Sequence, residues 1–385
     1  MKILHLCLGN FYIDNFSYQE NMLPKFHKKM GMDVEIIANL MSFDKDGNPS
    51  SLNKGGSYIN EYGIPVTRLN YKKHIFSKRL RTFEGLYQAL SKSGPDIIFI
   101  HNCQFIDIQQ VAKYAKQKPH VKIYVDNHAD FSNSARNFLS KNILHKIIWR
   151  YCAQKIEPYT TKFYGVLPAR VDFLENVYKL PREKAELLVM GADDDKVEEV
   201  KNPKIRQEIR EKHNINEDDF LIVTGGKIDN FKKQTLLLMD VVRRINKDDV
   251  KLIVFGSVID ELKDEINKLT DGCKVQYIGW VNSDDCYKYF AASDLAVFPG
   301  RHSVFWEQAV GTGIPCIFKY WEGTTHIDVG GNCMFLYNDS PEEMKEKTEL
   351  IVNNKEVYKK MKNIADNEGM KKFSYYKIAK ESIGF

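Results

Sequence analysis

The sequence has no run of about 18 apolar residues, so it predicts no helix long enough to span a bilayer. Its seven cysteines are odd in number and never spaced as Cys-x-x-Cys. This spacing argues against a disulfide framework or a structural zinc site and favours a reducing compartment. No Gly-x-Gly-x-x-Gly follows the first predicted strand, which disfavours a dinucleotide-dependent enzyme. We therefore expect a protein of the cytoplasm or of the inner face of the cell membrane.

The length and composition are those of a folded protein with more than one domain. Of the 385 residues, 43% are hydrophobic and 28% are charged, which allows a sizeable core and argues against disorder. At roughly 100–200 residues per domain, two domains are expected.

The net charge of +5 is unevenly distributed. Residues 1–165 hold 23 Lys+Arg and 13 Asp+Glu, a net +10, whereas residues 166–385 hold 33 and 38, a net −5. The excess lies almost wholly in residues 51–150, where 16 basic residues meet 6 acidic ones. This asymmetry predicts that the first half faces an anionic partner, such as a lipid surface or a phosphorylated acceptor. An ordinary solvated surface is the alternative, and no nucleic acid is expected.

The first half of the chain alternates short apolar runs with helical patterns, which predicts a parallel sheet with helices on both faces. The first ten residues lack the cleavage site of a secretory signal and instead predict a buried strand entering a glycine loop. The predicted strands are Lys2–Leu8, Asp33–Ala38, Asp96–His101, Lys122–Asn127 and Phe163–Leu167, and the predicted helices include Tyr18–Met30, Phe83–Lys92 and Phe105–Lys116.

The same alternation restarts after a charged stretch, Asp193–Asp219, which reads as a linker and the entry to a second sheet. Two doubly wound sheets in tandem would bring their carboxyl-edge loops to one central cleft. The predicted strands are Phe220–Thr224, Lys251–Phe255, Lys274–Ile278, Leu295–Phe298 and Pro315–Phe318, with helices at Thr235–Ile245, Asp260–Thr270, Ser283–Ala292 and Phe305–Gly311.

One predicted strand ends in two glycines that are followed by two basic positions. Gly225 and Gly226 would let the backbone approach a ligand closely, while Lys227 and Lys232 place cations before the next helix. Together with the helix N-terminus, this pattern suits a diphosphate. A tight turn with surface lysines is the alternative explanation.

A second pattern follows in residues 277–315, where a strand ends at Pro299 and a helix opens near Phe305, with Glu307 on its first turn. The order and spacing of the two patterns resemble the retaining, nucleotide-sugar-dependent glycosyltransferases of family 4. That family has the GT-B fold, in which two Rossmann-like, doubly wound α/β domains face a central cleft. The resemblance implies domains at residues 1–185 and 186–368, with the tail 369–385 returning to the first.

The resemblance also implies roles for residues of the second half. Lys227 and Lys232 would bind the donor diphosphate and stabilise the charge that develops as the leaving group departs. Glu307 would correspond to the second of the family's paired glutamates and hold the ribose hydroxyls, because a carboxylate can accept two hydrogen bonds from a diol. Trp280 lies where the family holds the base and could stack on uracil; core packing is the alternative.

The sequence departs from the family at the first of the paired glutamates, which would fall at Pro299. His302 is nearest to the missing carboxylate and is a candidate to replace it. The backbone amides of Ser303, Val304 and Phe305 are candidates for binding a phosphate or a sugar hydroxyl.

The first half supplies further candidates. Gly9 and Asn10 resemble the family's glycine loop beside the donor phosphates, and His128 lies where the family has a histidine facing the donor sugar. His101 and Asp130 are weaker candidates for the acceptor side; for each histidine, a structural role is the alternative.

Two segments mix basic and apolar residues as membrane-surface segments do. They are residues 71–83 and Lys141–Ile156, and for the second an ordinary core-facing helix is the favoured alternative.

The expected activity is transfer of a hexose or N-acetylhexosamine from a nucleotide sugar, most simply a UDP-sugar, to an acceptor hydroxyl of a glycan or lipid-linked precursor of a cell-surface polysaccharide. Retention of configuration and independence of metal and cofactor are implied by the resemblance. Two alternatives stay open, a catalytically silent donor-binding or partner subunit and a GT-B nucleotide-sugar epimerase.

Overall fold

The computed structural model of the chain describes residues 1–43, 49–230 and 232–385. The chain divides into two compact units, Met1–Val189 with Tyr376–Phe385, and Met190–Tyr375. The predicted first domain therefore ends four residues too early. Residues 185–187 extend its sheet as an edge strand, and the predicted tail boundary at 369 falls inside a helix that belongs to the second unit.

The first unit is built on a mainly parallel sheet. Its inner strands are short apolar runs whose side chains are buried on both faces, which is why they carry no alternating pattern. The strand order is β10-β9-β8-β7-β1-β2-β6-β5, parallel except for β5 against β6, and β3 pairs with β4 in a separate hairpin. The strands are β1 (Lys2–Cys7), β2 (Asp33–Ala38), β3 (Met41–Phe43), β4 (Pro49–Ser51), β5 (Gly56–Ile59), β6 (Pro65–Arg68), β7 (Ile97–His101), β8 (Lys122–Asn127), β9 (Thr160–Gly165) and β10 (Ala185–Leu187).

Helices connect these strands and cover the sheet. A π-helical segment, Ser140–Trp149, runs directly into the helix that precedes β9. The core is formed by the apolar faces of the inner strands and of the helices packed on them. The helices are α1 (Gln19–Lys29), α2 (Ser77–Leu80), α3 (Leu86–Ser93), α4 (Ile108–Gln117), α5 (Arg150–Ile156) and α6 (Pro168–Asn176), with 3-10 turns at Glu157–Tyr159 and Arg182–Lys184.

The second unit has a wholly parallel sheet in the order β13-β12-β11-β14-β15-β16. Counted within the unit this is 3-2-1-4-5-6, the order of Rossmann domains. The predicted strands all lie within two residues of these bounds; the last one was not predicted. The strands are β11 (Phe220–Gly225), β12 (Val250–Phe255), β13 (Val275–Tyr277), β14 (Leu295–Phe298), β15 (Cys316–Lys319) and β16 (Cys333–Leu336).

The charged stretch Asp193–Asp219 was predicted as a linker and the entry to the second sheet; it does precede that sheet, but it is folded and is not a linker. It folds as two helices of the second unit, each opened by a side chain that caps it: Asp193 accepts from the amide of Asp195 and Asn202 accepts from that of Lys204. The helices that follow β10 are α7 (Asp194–Glu199), α8 (Pro203–Lys212), α9 (Gln234–Arg244), α10 (Lys263–Leu269), α11 (Cys286–Ala292), α12 (Phe305–Gly311), α13 (Pro341–Asn353), α14 (Lys355–Phe373) and α15 (Tyr375–Glu381), with 3-10 turns at Asp260–Leu262 and Thr325–Ile327.

Among the residues that the structure describes, no helix combines the length and the apolar character needed to cross a membrane.

Candidate functional site

The second sheet has its topological switch point between β11 and β14. The chain leads from β11 to one edge of the sheet and from β14 to the other. In open α/β sheets, ligands bind outside the carboxyl ends of the strands at such a point. β11 ends at Gly225 and β14 ends at Phe298. The two loops singled out in the sequence therefore meet at the expected position.

Glycine is required in the loop after β11. A Cβ on Gly225 would lie 2.2 Å from the Phe255 ring, and Gly226 has a φ of 122°. The next strand contributes a third close approach, because a Cβ on Gly256 would lie 2.0 Å from the carbonyl oxygen of Gly226. At these glycines the backbone carries no side chain and is closely packed, at the place where a ligand would approach.

The two lysines of the motif differ in environment. Lys227 is exposed, whereas the stem of Lys232 packs beside Gly300, with its Cγ 3.3 Å from the Cβ position of that glycine. Burial lowers the pKa of Lys232, with Asp229 opposing and Arg301 adding to the effect. An anion bound at this ammonium would restore its usual pKa, because an opposite charge favours the protonated form.

Glu307 is completely buried on the first turn of α12. Its Oε1 accepts from Nε2 of His302 and from Nε2 of His326, each at 2.8 Å. Burial alone would raise the pKa of this carboxyl, but the two imidazoles hold it at about 2. Its Oε2 is buried with no hydrogen-bond partner among the described residues. The site is thus an ionised carboxylate with one oxygen saturated and the other still able to accept.

This arrangement refines two predictions. Glu307 was predicted to hold the ribose hydroxyls through a carboxylate that accepts two hydrogen bonds, and Oε2 is the oxygen that has no partner among the described residues. His302 was predicted to help to hold the donor sugar; in the structure its Nε2 contacts Glu307, and its role toward a sugar stays a prediction. His326 was missed, because it lies 19 residues beyond Glu307 in a 3-10 turn and no local pattern marks it.

The remaining candidates of the second unit lie on the same carboxyl edge. Trp280 is 67% exposed and lines a depression of about 450 Å³ together with His213 and Tyr289. The carbonyl oxygen of the preceding residue, Gly279, accepts from the amide of Gly256 at 2.7 Å, and Gly256 in turn packs against Gly226. An exposed indole at this point remains free to stack on a base.

The start of α12 is partly occupied by its own contacts. The amide of Trp306 donates to the carbonyl oxygen of Ser303 at 3.0 Å, and the amide of Gln308 donates to that of Val304 at 3.1 Å. The ring of Phe305 packs edge-on against Phe255. Ser303 and Val304 therefore make these two hydrogen bonds through their carbonyl groups. Their amides, which were predicted to bind a ligand, take no part in these two bonds.

In the first unit the switch point lies between β1 and β7, and Gly9 and Asn10 follow β1 there. A Cβ on Gly9 would lie 1.9 Å from the carbonyl oxygen of Asn102, so only glycine fits. Asn10 donates its side-chain amide to Glu20, and its carbonyl accepts from Asn39 at 2.6 Å. The loop of Gly9 and Asn10 is therefore held firmly against the end of β7.

His128 directly follows β8 and keeps 16% of its side chain exposed. Its Nε2 lies 3.3 Å from Oδ1 of Asp126 and 3.8 Å from Oε1 of Glu20. Burial would lower the pKa of His128, but Asp126 and Glu20 raise it above the ordinary value. The imidazole is thus held protonated more readily than a free one.

The two weaker acceptor-side candidates have other partners. His101 is completely buried, with one ring nitrogen on His5 and the other on Asp126, so it presents no atom to an acceptor. Asp130 binds Arg170 through Oδ2 at 3.0 Å and caps its own loop at Ser132 through Oδ1. Both side chains are therefore held by contacts within the first unit.

Two groups of side chains within the described part of the chain could hold a metal ion, since their ligand atoms lie within 4.8 Å of one another. In His302, Glu307 and His326 the atoms already pair as hydrogen bonds. In Glu20, His101 and His128 both ring nitrogens of His101 are occupied. A metal would have to displace these contacts in either group.

Comparisons with known proteins agree with this geometry. Residues 205–368, which hold the glycine loop, both lysines and Glu307, match the sequence model of the family Glycosyl transferases group 1. An uncharacterized glycosyltransferase of Methanocaldococcus jannaschii, MJ1607, is 21% identical over 216 residues, 54% of this chain and 55% of that relative. The chain therefore matches about half the length of this curated relative.

Solved structures share the fold over the whole chain. HepE of Anabaena in complex with UDP superposes with a TM-score of 0.70 at 13% identity, covering 99% of this chain and 98% of HepE. WaaG, a glycosyltransferase involved in lipopolysaccharide biosynthesis, gives a TM-score of 0.68 at 14% identity, covering 99% of this chain and 100% of WaaG. The predicted α/β fold with two Rossmann-like parallel sheets, that of GT-B structures, is confirmed. Together with the match over residues 205–368, it supports a glycosyltransferase.

Proposed function

We propose that the protein transfers a hexose or an N-acetylhexosamine from a UDP-sugar to an acceptor hydroxyl, with retention of configuration and without a metal ion. The observation that carries the proposal lies in the second unit. Gly225, Gly226, Lys232 and Glu307 meet at the switch point of a 3-2-1-4-5-6 sheet, within the segment that matches Glycosyl transferases group 1.

Lys227 and Lys232 would bind the donor diphosphate. As the bond between the sugar and the diphosphate breaks, negative charge collects on the leaving phosphate oxygen, and preorganised cations stabilise it. Lys232 suits this role because its burial lowers its pKa, so an added anion gains more there than at a fully hydrated lysine. The same two charges would make a divalent ion unnecessary.

The choice of uracil as the base rests on two observations. The solved complexes of HepE contain UDP and UDP-glucose. In this chain Trp280 offers an exposed indole on which a pyrimidine could stack, and the preceding Gly279 bonds to Gly256, which packs against Gly226.

His128 would face the donor sugar in the first unit. A protonated imidazole donates hydrogen bonds from both ring nitrogens, and the neighbouring Asp126 and Glu20 favour that state. A cation beside the transferred sugar would orient its hydroxyl groups and the leaving diphosphate.

The acceptor is proposed to be a glycan or lipid-linked precursor of a cell-surface polysaccharide. The net +10 of residues 1–165 supports an anionic partner, and WaaG, which shares the fold, is involved in lipopolysaccharide biosynthesis. The helical stretch in residues 140–156 supports a membrane-surface location. Its buried face includes Cys152, while Ile143, Ile147 and Tyr151 form an exposed stripe with 43%, 62% and 47% of their surface accessible. This segment therefore packs on the core and also offers an apolar face.

The first experiment is calorimetry with UDP, GDP and a panel of UDP-sugars in the presence of EDTA. We expect UDP to bind and one UDP-sugar to bind more tightly, which would identify the donor. Absence of nucleotide binding would overturn the donor site. Product analysis with the selected donor separates an epimerase, which consumes no acceptor, from a transferase.

A second candidate function is a donor-binding partner subunit without turnover. It is favoured by the complete burial of Glu307, one oxygen of which is already saturated by two histidines. Such a subunit would bind UDP but release no UDP from any UDP-sugar in the presence of lipid-linked acceptors.

A further inference from the structure

A chain of three histidines runs through the interior of the first unit. His27 Nδ1 lies 3.0 Å from His5 Nε2, and His5 Nδ1 lies 3.0 Å from His101 Nε2. All three residues are completely buried, and successive rings stack with centroids 5.2 Å apart. The three side chains come from α1, β1 and β7, so the fold and not the local sequence brings them together.

The histidine at each end of this chain of three contacts a hydrogen-bond acceptor. At one end, His27 Nε2 lies 2.8 Å from the carbonyl oxygen of Ala379 in the C-terminal tail. At the other end, His101 Nδ1 lies 2.9 Å from Oδ2 of Asp126, which is also completely buried. Ser382 Oγ lies 3.2 Å from His27 Nε2 but itself donates to Ala379 at 2.8 Å, so it does not replace the proton that the His27 contact needs.

The number of protons follows from these contacts. Four contacts join the carbonyl, three rings and the carboxylate, and each needs one proton between its two heavy atoms. Three neutral imidazoles carry three protons, because each has one N–H and one bare nitrogen. The fourth contact therefore requires one proton more, which makes the assembly of three rings and one carboxylate electrically neutral. Neutrality suits a site from which water is excluded, where an unpaired carboxylate would be costly.

The excess proton can move without breaking any contact. With the proton on His101, both of its nitrogens donate. Transfer of the Nε2 proton to His5 Nδ1 leaves His101 neutral, still donating to Asp126, and makes His5 the cation. Transfer of the His5 Nε2 proton to His27 Nδ1 then moves the charge one ring further. No other bond forms or breaks, and four hydrogen bonds are present in every state.

Asp126 connects this chain to the candidate site, because its other oxygen, Oδ1, lies 3.3 Å from His128 Nε2. We propose that His27, His5 and His101 form with Asp126 a buried proton relay that holds one excess proton and sets the protonation of His128. The inference rests on the proposed role of His128 beside the donor sugar. With the excess proton next to Asp126, the carboxylate charge is compensated. With the proton on His5 or His27, the same charge acts on His128.

Other charged groups face this junction and enter the balance. Glu20 adds negative charge at 3.8 Å from His128 Nε2, and Arg170 opposes the protonation of His128. The thiol of Cys7 stays neutral, because burial, Glu20 and Asp126 raise its pKa well above the ordinary value. Burial lowers the pKa of His5, and also that of His27 to about 4, so neither of these two rings favours the excess proton, which is best compensated next to the Asp126 carboxylate.

The first test uses the full-length protein labelled with ¹⁵N-histidine and long-range ¹H–¹⁵N spectra, without substrate. We expect one ring of the chain to show both nitrogens protonated at neutral pH, and His27 to carry its proton on Nε2. Three neutral rings at pH 7 would overturn the relay.

The second test interrupts the chain of three histidines with the substitution His5→Phe. His101 can then satisfy Asp126 as a neutral ring, so the excess proton is lost and the uncompensated carboxylate should raise the pKa of His128 by roughly one unit. The matched control is His145→Gln, a buried histidine of the same unit bound to Ser134 and Tyr178, which should leave the pKa of His128 unchanged. A folded His5→Phe variant with an unchanged His128 would overturn the relay; if the variant does not fold, the wild-type spectra decide.

These readouts are independent of the proposed transferase activity. Spectra with the excess proton but no turnover of any UDP-sugar would refute the proposed function and leave the relay standing. Turnover together with three neutral rings would refute the relay alone. In an active protein, His5→Phe should also move the limb of the pH–rate profile that reports His128 by the same unit, which a purely structural role would not do.

Discussion

Oε1 of Glu307 and Nε2 of His326 lie 2.8 Å apart, although 19 positions separate the two residues in the chain. His302 binds the same oxygen, so one buried carboxylate holds two histidine side chains from the loops after β14 and β15. The loop geometry at this edge of the second sheet therefore depends on the charge of Glu307.

We expect Glu307→Gln to destabilise the second unit by about 3 kcal/mol, because it leaves two buried imidazoles with a weaker acceptor that also brings an unpaired N–H₂ group. Denaturant unfolding at pH 7 measures the loss. Glu346→Gln on α13, where the side chain is exposed, is the control and should change little. Equal stabilities of the Glu307→Gln variant and the control would contradict the arrangement.

The same carboxylate predicts a dependence of stability on pH. The pKa of Glu307 is about 2 in the folded chain, below its ordinary value of 4.5. A lowered pKa stabilises the folded state fully above the unfolded value, and this stabilisation is lost as pH falls toward the folded value. The difference in unfolding free energy between wild type and Glu307→Gln should therefore be greatest above the unfolded pKa of 4.5 and shrink as pH falls from 4.5 toward 2. A difference that grows on acidification would contradict this sign.

Much of the fold was predictable because the strands are buried on both faces and read as short apolar runs. The bounds of β2, β8 and β14 agree with the prediction residue for residue. The short edge strands β5 and β10 were missed, because they are partly exposed and lack a continuous apolar run. The helices at residues 194–212 were missed because so many of their residues are charged that the stretch resembles a linker in composition.

The site was predictable where the chemistry lies at strand ends, since parallel strands bring their carboxyl ends to one edge. Gly9, Gly225 and Lys232 are such residues. His326 and the chain of His5, His27 and His101 were not found, because their contacts join residues far apart in sequence and no spacing marks them. A lone histidine in an apolar strand, such as His5, gives no signal of its own.

A third prediction concerns the two adjacent lysines before α9. Lys232→Ala should weaken UDP binding by roughly 10- to 100-fold, the worth of a charge-assisted hydrogen bond to a phosphate. Lys233→Ala removes an equal charge from an exposed neighbour and should have little effect. Titration calorimetry at fixed salt measures both variants. Equal losses would indicate a general electrostatic effect instead of a contact at Lys232.

A fourth prediction tests the close approach of the loop after β1, which contains Gly9, to the end of β7. In Gly9→Ala the new Cβ would lie 1.9 Å from the carbonyl oxygen of Asn102, so the backbone must move. We expect a loss of about 2 kcal/mol and a fall in Tm of roughly 4–8 °C. Gly56→Ala, whose Cβ would meet nothing within 4 Å, is the control. A Gly9→Ala variant as stable as the control would show that the loops are further apart.

The last prediction concerns the exposed apolar stripe of residues 140–156. If this stripe lies on a membrane, Ile147→Glu removes the burial of one isoleucine, worth about 1.5–3 kcal/mol, and adds repulsion from anionic lipid. Sedimentation with phosphatidylglycerol vesicles should then show at least a roughly 10-fold lower partition coefficient. Leu350→Glu, at an exposed leucine of α13, makes the same change of character in the acidic half and should bind as wild type does. Binding of wild type to neutral phosphatidylcholine vesicles should be weaker and less sensitive to salt, because the basic residues then have no partner. If Ile147→Glu and Leu350→Glu reduced binding equally, the stripe would not be the contact surface, and the charge of the first half alone would have to account for any membrane affinity.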